Sequence, residues 1–137
     1  RSGKSIPEIF AEHGEDFFRQ LERQTLRETA HHAPCIVATG GGAPCFFDNM
    51  NWMNKQGVTV YLQTPTEVLA ARLAPANSDR PLLQGISEKA LLTHIENLMA
   101  IRAPFYLQAK HIANYQPDSI VFLENLLDLV RDDAADI

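Results

Sequence analysis

The stretch Cys35-Ile36-Val37-Ala38-Thr39-Gly40-Gly41-Gly42-Ala43-Pro44 limits what this chain can become more than any other. A short apolar run bounded by a turn signal reads as a fully buried strand, so residues 35–39 are expected to form one. The run leads into three consecutive glycines, each of which loses more backbone freedom on folding than any other residue. Two things can require them: a ligand that the bare backbone approaches closely, or a tight strand-to-helix turn. Open α/β sheets bind ligands at the carboxyl ends of their strands, which is where these glycines would stand.

The flanking segments supply the rest of an α/β unit. Ser5, Pro7 and Glu8 have the spacing of a capping box with proline in the first turn, and open a helix with Ile6, Ile9, Phe10 and His13 on one face. Gly3-Lys4-Ser5 looks like the end of a Walker A loop, but that motif needs a strand and a further glycine before it, and this chain has neither. After Gly14 a second helix is expected from Glu15 to about His32, with Phe17, Phe18, Leu21 and Thr25 inward. Arg19, Glu22 and Arg23 share one face of it. Arg19 then reads either as a solvated arginine in a helical ion pair or as an aromatic-walled, carboxylate-tethered grip on a planar anion.

Beyond the glycines the pattern predicts a short helix from Asp48 to Gln56, stopped by Gly57, and a strand over Val58 to Leu62. Thr64, Pro65 and Glu67 repeat the capping signature, with Thr64 as N-cap of a helix that carries Arg72 and runs to about Leu73. Alternating strands and helices at this spacing make a parallel sheet. Ala74 to Gly85 has no period and reads as an exposed loop or as a lid bearing Arg80. Ser87 caps a long helix with Leu91, Leu92, Ile95, Leu98 and Met99 as its core stripe, disturbed at Pro104. His111 to Tyr115 is a weak third strand. Asp118 caps a last helix with Ile120, Leu123, Leu126, Leu127 and Val130 inward.

Composition excludes several classes of function. A net charge of -5 and a pI near 5.4 leave no basic face for nucleic acid. Runs such as Ile120 to Leu123 fall far short of the roughly 20 apolar residues of a membrane span, and the polar start does not resemble a signal peptide. Two cysteines make no disulfide framework, which fits a reducing cytoplasm. The five histidines lack metal-ligand spacing.

In order and spacing, five segments resemble the shikimate kinases: Ser5-Ile6-Pro7-Glu8-Ile9-Phe10; Gly14-Glu15 with Phe18-Arg19 and Glu22; Thr39-Gly40-Gly41-Gly42; Arg80-Pro81-Leu82-Leu83; and Arg102-Ala103-Pro104-Phe105-Tyr106. The resemblance covers essentially the whole chain. It implies a three-layer α/β fold of the P-loop kinase type, with a parallel sheet, and transfer of the ATP γ-phosphoryl to the 3-hydroxyl of shikimate with Mg²⁺. It further implies that Arg19 and Arg102 clamp the shikimate carboxylate, that Glu22 orients Arg19, and that Phe18 walls the pocket. Gly40, Gly41 and Gly42 would present backbone N–H groups to the substrate. Arg80 would be the catalytic lid arginine over the phosphates, and Arg72 would stack on adenine.

The family begins with a strand, a Walker A loop and an acidic second strand, whose counterparts do not stand in residues 1–137. The resemblance therefore implies one N-terminally incomplete domain, with substrate-binding helices over about residues 5–32 and a lid over about 74–85. Two sheet strands and the ligands of Mg²⁺ and phosphate would be missing, and the stretch alone is expected to be inactive. The partners implied are shikimate and ATP, with no nucleic acid or membrane, and the complete protein is expected to be a monomer. Two other readings stand beside this one: a related kinase of another small hydroxy acid, and a non-catalytic shikimate-binding module.

Overall fold

A computed structural model describes residues 3–31, 35–74 and 87–134. It comprises two compact units, Arg1–Gly57 and Val58–Ile137.

In the first unit, α1 (Ile6–Glu28) opens on the expected capping box, where the Glu8 carboxylate accepts from the Ser5 hydroxyl at 2.6 Å and the Ser5 amide at 2.7 Å. These bonds, the hydroxyl's first and the amide's second, hold the Glu8 carboxyl below its usual value. A carboxylate depressed by folding stabilises the fold above its unfolded pKa and ceases to do so as pH falls through the folded one. Glu8→Gln should therefore lower Tm at neutral pH, with the gap to the parent closing as the solution is acidified through the carboxylate range.

Gly14, at φ 78° and ψ 178°, breaks the helical path inside α1 in a region that glycine enters freely. The break resets the helical phase, so the inward set is not the one the sequence suggests. Ile9 and Leu26 are buried, whereas Phe17 and Thr25 are exposed, the Thr25 hydroxyl donating back to the Leu21 carbonyl at 2.9 Å. The helix stops at Glu28 and tightens into a 3-10 turn, Thr29–His31, short of the expected end.

The strand expected over residues 35–39 is not formed. Ile36 and Val37 are exposed, and no described segment pairs with them. An apolar run gives the propensity for a strand, but only a ladder to a neighbour makes one. The glycines do form the tight connection. Ala43 N–H donates to Gly40 O at 3.1 Å and Cys45 N–H to Gly42 O at 2.9 Å, starting a 3-10 turn, Ala43–Cys45. Asp48 then precedes α2 (Asn49–Gln56), which Gly57 closes as expected. The fully buried Asn49 donates through Nδ2 to Ala43 O at 2.9 Å, tying the helix to the turn before it.

In the second unit, β1 (Val60–Gln63) and β2 (His111–Asn114) pair in parallel, with Val60 opposite His111 and Gln63 opposite Asn114. The core lies between α3 (Thr66–Leu73) and α4 (Glu88–Tyr106), where Ala70, Leu91 and Ile95 are buried beneath Leu69, Leu73, Leu92 and Met99. The N-cap of α3 is Pro65 and not Thr64: its extended backbone precedes the first helical residue, and its carbonyl accepts from Leu69 N–H at 3.1 Å. Ser87 caps α4 as expected, accepting from Ala90 N–H at 3.3 Å. Pro104 does not end that helix, because it falls in the last turn and leaves the Leu107 N–H bond to Ala103 O, 2.9 Å, intact.

Asp118 caps α5 (Ser119–Ala134) through one carboxylate oxygen, which accepts from Ile120 N–H at 2.8 Å and Val121 N–H at 3.3 Å. Asp118→Ala should cost about 1 kcal/mol, read as a fall in Tm. The expected inner stripe of α5 is mostly outside, with Ile120 67% and Leu123 54% exposed, while Phe122, Leu126 and Leu129 are half-buried. A helix this rich in leucine carries overlapping apolar stripes at i, i+4 and i+7, and the sequence alone does not say which one meets a neighbour.

Candidate functional site

In the first unit, α1 and the glycine turn bring five of the expected residues together: Phe18, Arg19, Glu22, Gly40 and Gly42. Arg19 is the centre. Its side chain is only 12% exposed, with Glu15 one turn before it and Glu22 one turn after it on the same helix. Glu15 Oε1 accepts from Nε at 3.1 Å and from Nη2 at 3.0 Å, and Glu22 Oε2 accepts from Nη1 at 3.0 Å. Glu22 is 19% exposed and Glu15 54%, so the Glu22 bond is the less screened of the two. The guanidinium carbon lies 4.1 Å over the centre of the Phe46 ring and 5.2 Å from that of Phe18, whose own ring packs on Phe10 at 4.7 Å.

The glycine run meets this arginine directly. A Cβ built on Gly42 would stand 2.6 Å from Arg19 Nη1, 2.9 Å from Nη2 and 3.0 Å from Cζ, where no real carbon fits. At Gly40 a Cβ would come no nearer than 3.9 Å to Glu22 Oε1, an ordinary contact. Of the two, then, Gly42 is the position at which the missing side chain is a geometric requirement. The Gly41 carbonyl accepts from the Cys45 thiol at 3.7 Å.

Three of the five N–H groups of Arg19 are used by the two carboxylates. Two remain, one on each terminal nitrogen, and such a pair matches the two oxygens of a planar carboxylate. Glu15 and Phe46 carry no role in the sequence-based site. Glu15 was findable, since a glutamate four residues before an arginine is the favourable order for a helical ion pair. Phe46 was not, because it reaches Arg19 from 27 positions away and no local spacing announces it.

The second unit holds Arg72 and Arg102. Arg72, in the last turn of α3, lies 5.3 Å over the Tyr115 ring. That ring lines a cavity of about 460 Å³ at the carboxyl ends of β1 and β2, together with Tyr61, Gln63, Thr64, Pro65 and Met99. Burial raises the Tyr61 phenol above its usual value, so it stays neutral and able to donate. Arg102 is half-buried on α4. Arg80 and the expected lid lie outside the described residues. Among those described, no group of His, Cys, Asp or Glu could hold a metal ion, and no helix is long and apolar enough to cross a membrane.

Comparison with known proteins bears on the same residues. The family model for shikimate kinase matches residues 1–129. The chain belongs to the shikimate kinase family. A shikimate kinase from Bacteroides fragilis is 46% identical over 112 residues, which make up 82% of this chain and 63% of that one. One from Nitratidesulfovibrio vulgaris is 37% identical over 133 residues, 95% of this chain and 74% of the relative. The crystal structure of the Bacteroides thetaiotaomicron shikimate kinase superposes with a TM-score of 0.86 at 41% identity, covering 93% of this chain and 76% of that one. The Acinetobacter baumannii shikimate kinase in complex with shikimate gives 0.81 at 30% identity, covering 96% and 73%. The chain thus spans about 63% of the length of the Bacteroides fragilis shikimate kinase. Its α/β architecture, with a parallel strand pair, is the one expected of the P-loop kinase class to which the family's fold is related.

Proposed function

We propose that this chain is the substrate-holding part of an ATP-dependent shikimate kinase, which moves the γ-phosphoryl of ATP to the 3-hydroxyl of shikimate. The observation that carries the reading is the held guanidinium of Arg19, whose two remaining N–H groups suit the shikimate carboxylate. Two carboxylates around one guanidinium leave no net positive charge there, so an anionic ligand needs a second cation. Arg102 is that cation by its match to the family motif, and membership of a family with a shikimate-bound relative supports it. Phosphoryl transfer asks mainly for positioning and charge placement, which these residues are suited to supply.

For ATP, the cavity beside Tyr115 and Arg72 suits a planar base, since a guanidinium stacks well on aromatic faces. Arg80 would neutralise charge on the phosphates. The described residues offer no set of ligands for Mg²⁺, so the roles proposed for them are substrate binding and charge placement. The free thiols Cys35 and Cys45 fit a reducing cytoplasm, and we place the enzyme there as a single-domain monomer.

The test is a coupled assay for ADP release by the intact protein with ATP, Mg²⁺ and shikimate. Shikimate-dependent ADP formation is the expected result. ADP release that needs a different hydroxy acid, or shikimate binding without any turnover, would overturn the reading.

A further inference from the structure

Arg19, Arg23 and Arg27 follow one another at four-residue intervals on α1, and each lies over an aromatic ring from the segment after the glycines. The distances are 4.1 Å from Arg19 to Phe46, 5.1 Å from Arg23 to Phe47 and 4.4 Å from Arg27 to Trp52. Asp48 Oδ1 accepts from both Arg23 Nη2 at 2.9 Å and Arg27 Nη2 at 2.7 Å. Like charges four residues apart on a helix repel, and this shared carboxylate relieves the repulsion. Partial burial alone would raise the Asp48 pKa, but its own backbone hydrogen bond and the charges of Arg27 and Arg23 outweigh that and leave it lowered.

Between Phe46 and Asp48 stands Phe47 at φ 53°, a left-handed conformation that is costly for a bulky side chain. Such a residue persists where its surroundings over-determine it, and here its neighbours on both sides are fastened to α1. The edge bonds from Glu15 and Glu22 fix where the Arg19 guanidinium lies within its plane. They do not fix the tilt of that plane. The ring 4.1 Å beneath it does.

We propose that the Phe46-Phe47-Asp48 turn is a positioning element for shikimate: Phe46 sets the plane of the Arg19 guanidinium, and the Asp48 clamp on Arg23 and Arg27 sets the position of Phe46. The proposal rests on the reading of Arg19 as a ligand of the substrate carboxylate. It makes Phe46 a determinant of substrate affinity that does not touch the reacting hydroxyl. Loss of an interaction made equally in ground and transition states raises KM and leaves kcat unchanged.

The experiment compares Phe46→Leu, Phe46→Tyr and Asp48→Asn in the intact protein. Phe46→Leu is expected to raise the KM for shikimate about fivefold to tenfold, with kcat and the KM for ATP within about twofold of the parent. Phe46→Tyr, which keeps the aromatic face, restores the parent value, and Asp48→Asn gives a smaller rise of the same kind. An unchanged KM in Phe46→Leu overturns the proposal. So does a parallel loss of kcat and of both KM values that follows Tm, because that marks a merely structural turn. A parent protein that neither binds nor turns over shikimate would sink the functional reading instead. The Arg19 Nε–H signal in nitrogen-15 NMR, assigned by its loss in Arg19→Lys, still tests the turn in that event. It should be narrow and slow to exchange in the parent and in Phe46→Tyr, and broad and fast in Phe46→Leu. An identical signal in all three overturns the positioning role.

Discussion

Gly42→Ala is expected to raise the KM for shikimate about 30-fold to 100-fold in the intact protein, with the KM for ATP little changed. A methyl group at that position would enter the space of the Arg19 guanidinium, 2.6 Å from Nη1. Since Gly42 has an ordinary helical backbone, φ -80° and ψ -33°, alanine strains nothing in the main chain. The conflict is wholly with the far end of one side chain, which can swing aside. Doing so forfeits the bonds to Glu15 and Glu22 and the stack on Phe46, so the arginine no longer presents its remaining N–H groups where the substrate needs them. A hydrogen-bonded charge of this kind is worth roughly 2–3 kcal/mol, which sets the size of the effect. Tm should move by only a few degrees, because no apolar contact is lost. A variant with an unchanged shikimate KM would show that Arg19 does not bind the carboxylate; one that fails to fold would show that the glycine serves the turn alone.

The two explanations open for the glycine run at the level of sequence are both realised, at different positions. Gly40 lies in the tight turn and has room for a side chain, whereas Gly42 is bare because a guanidinium occupies the space. Composition reveals that glycines are needed, and only a distance reveals which. Local signals carried well wherever the interaction is local. The Ser5–Glu8 box, the break at Gly14, the Ser87 and Asp118 caps and the stop at Gly57 were all legible, because each depends on residues no more than a turn apart. Non-local partners did not carry. The strand over residues 35–39, the inner stripe of α5 and the ring beneath Arg19 all depend on what comes from elsewhere in the chain. The i,i+3 pairing of Arg19 with Glu22 was visible in the spacing, but its burial was not, and burial is what separates a surface ion pair from a held ligand group.

That distinction has its sharpest consequence at Arg19 itself. Arg19→Lys, which keeps the charge, should lower kcat/KM for shikimate by about 100-fold to 1,000-fold, because an ammonium is a point charge without a planar fork. Lysine cannot hold Glu15 and Glu22 at opposite edges, offer two parallel N–H groups to a carboxylate and lie flat on Phe46 at the same time. The two carboxylates should differ in weight. Glu22→Gln removes a bond in the more buried position and should cost about tenfold in kcat/KM, whereas Glu15→Gln, at the exposed edge, should cost no more than about threefold. The order Arg19→Lys, then Glu22→Gln, then Glu15→Gln therefore tests the geometry and not merely the charge. If the lysine variant stays within fivefold of the parent, long-range attraction suffices for the substrate and the fork has no role. If the two glutamate variants lose activity equally, the exposed bond to Glu15 holds the guanidinium as firmly as the buried one, and the burial argument for this site fails.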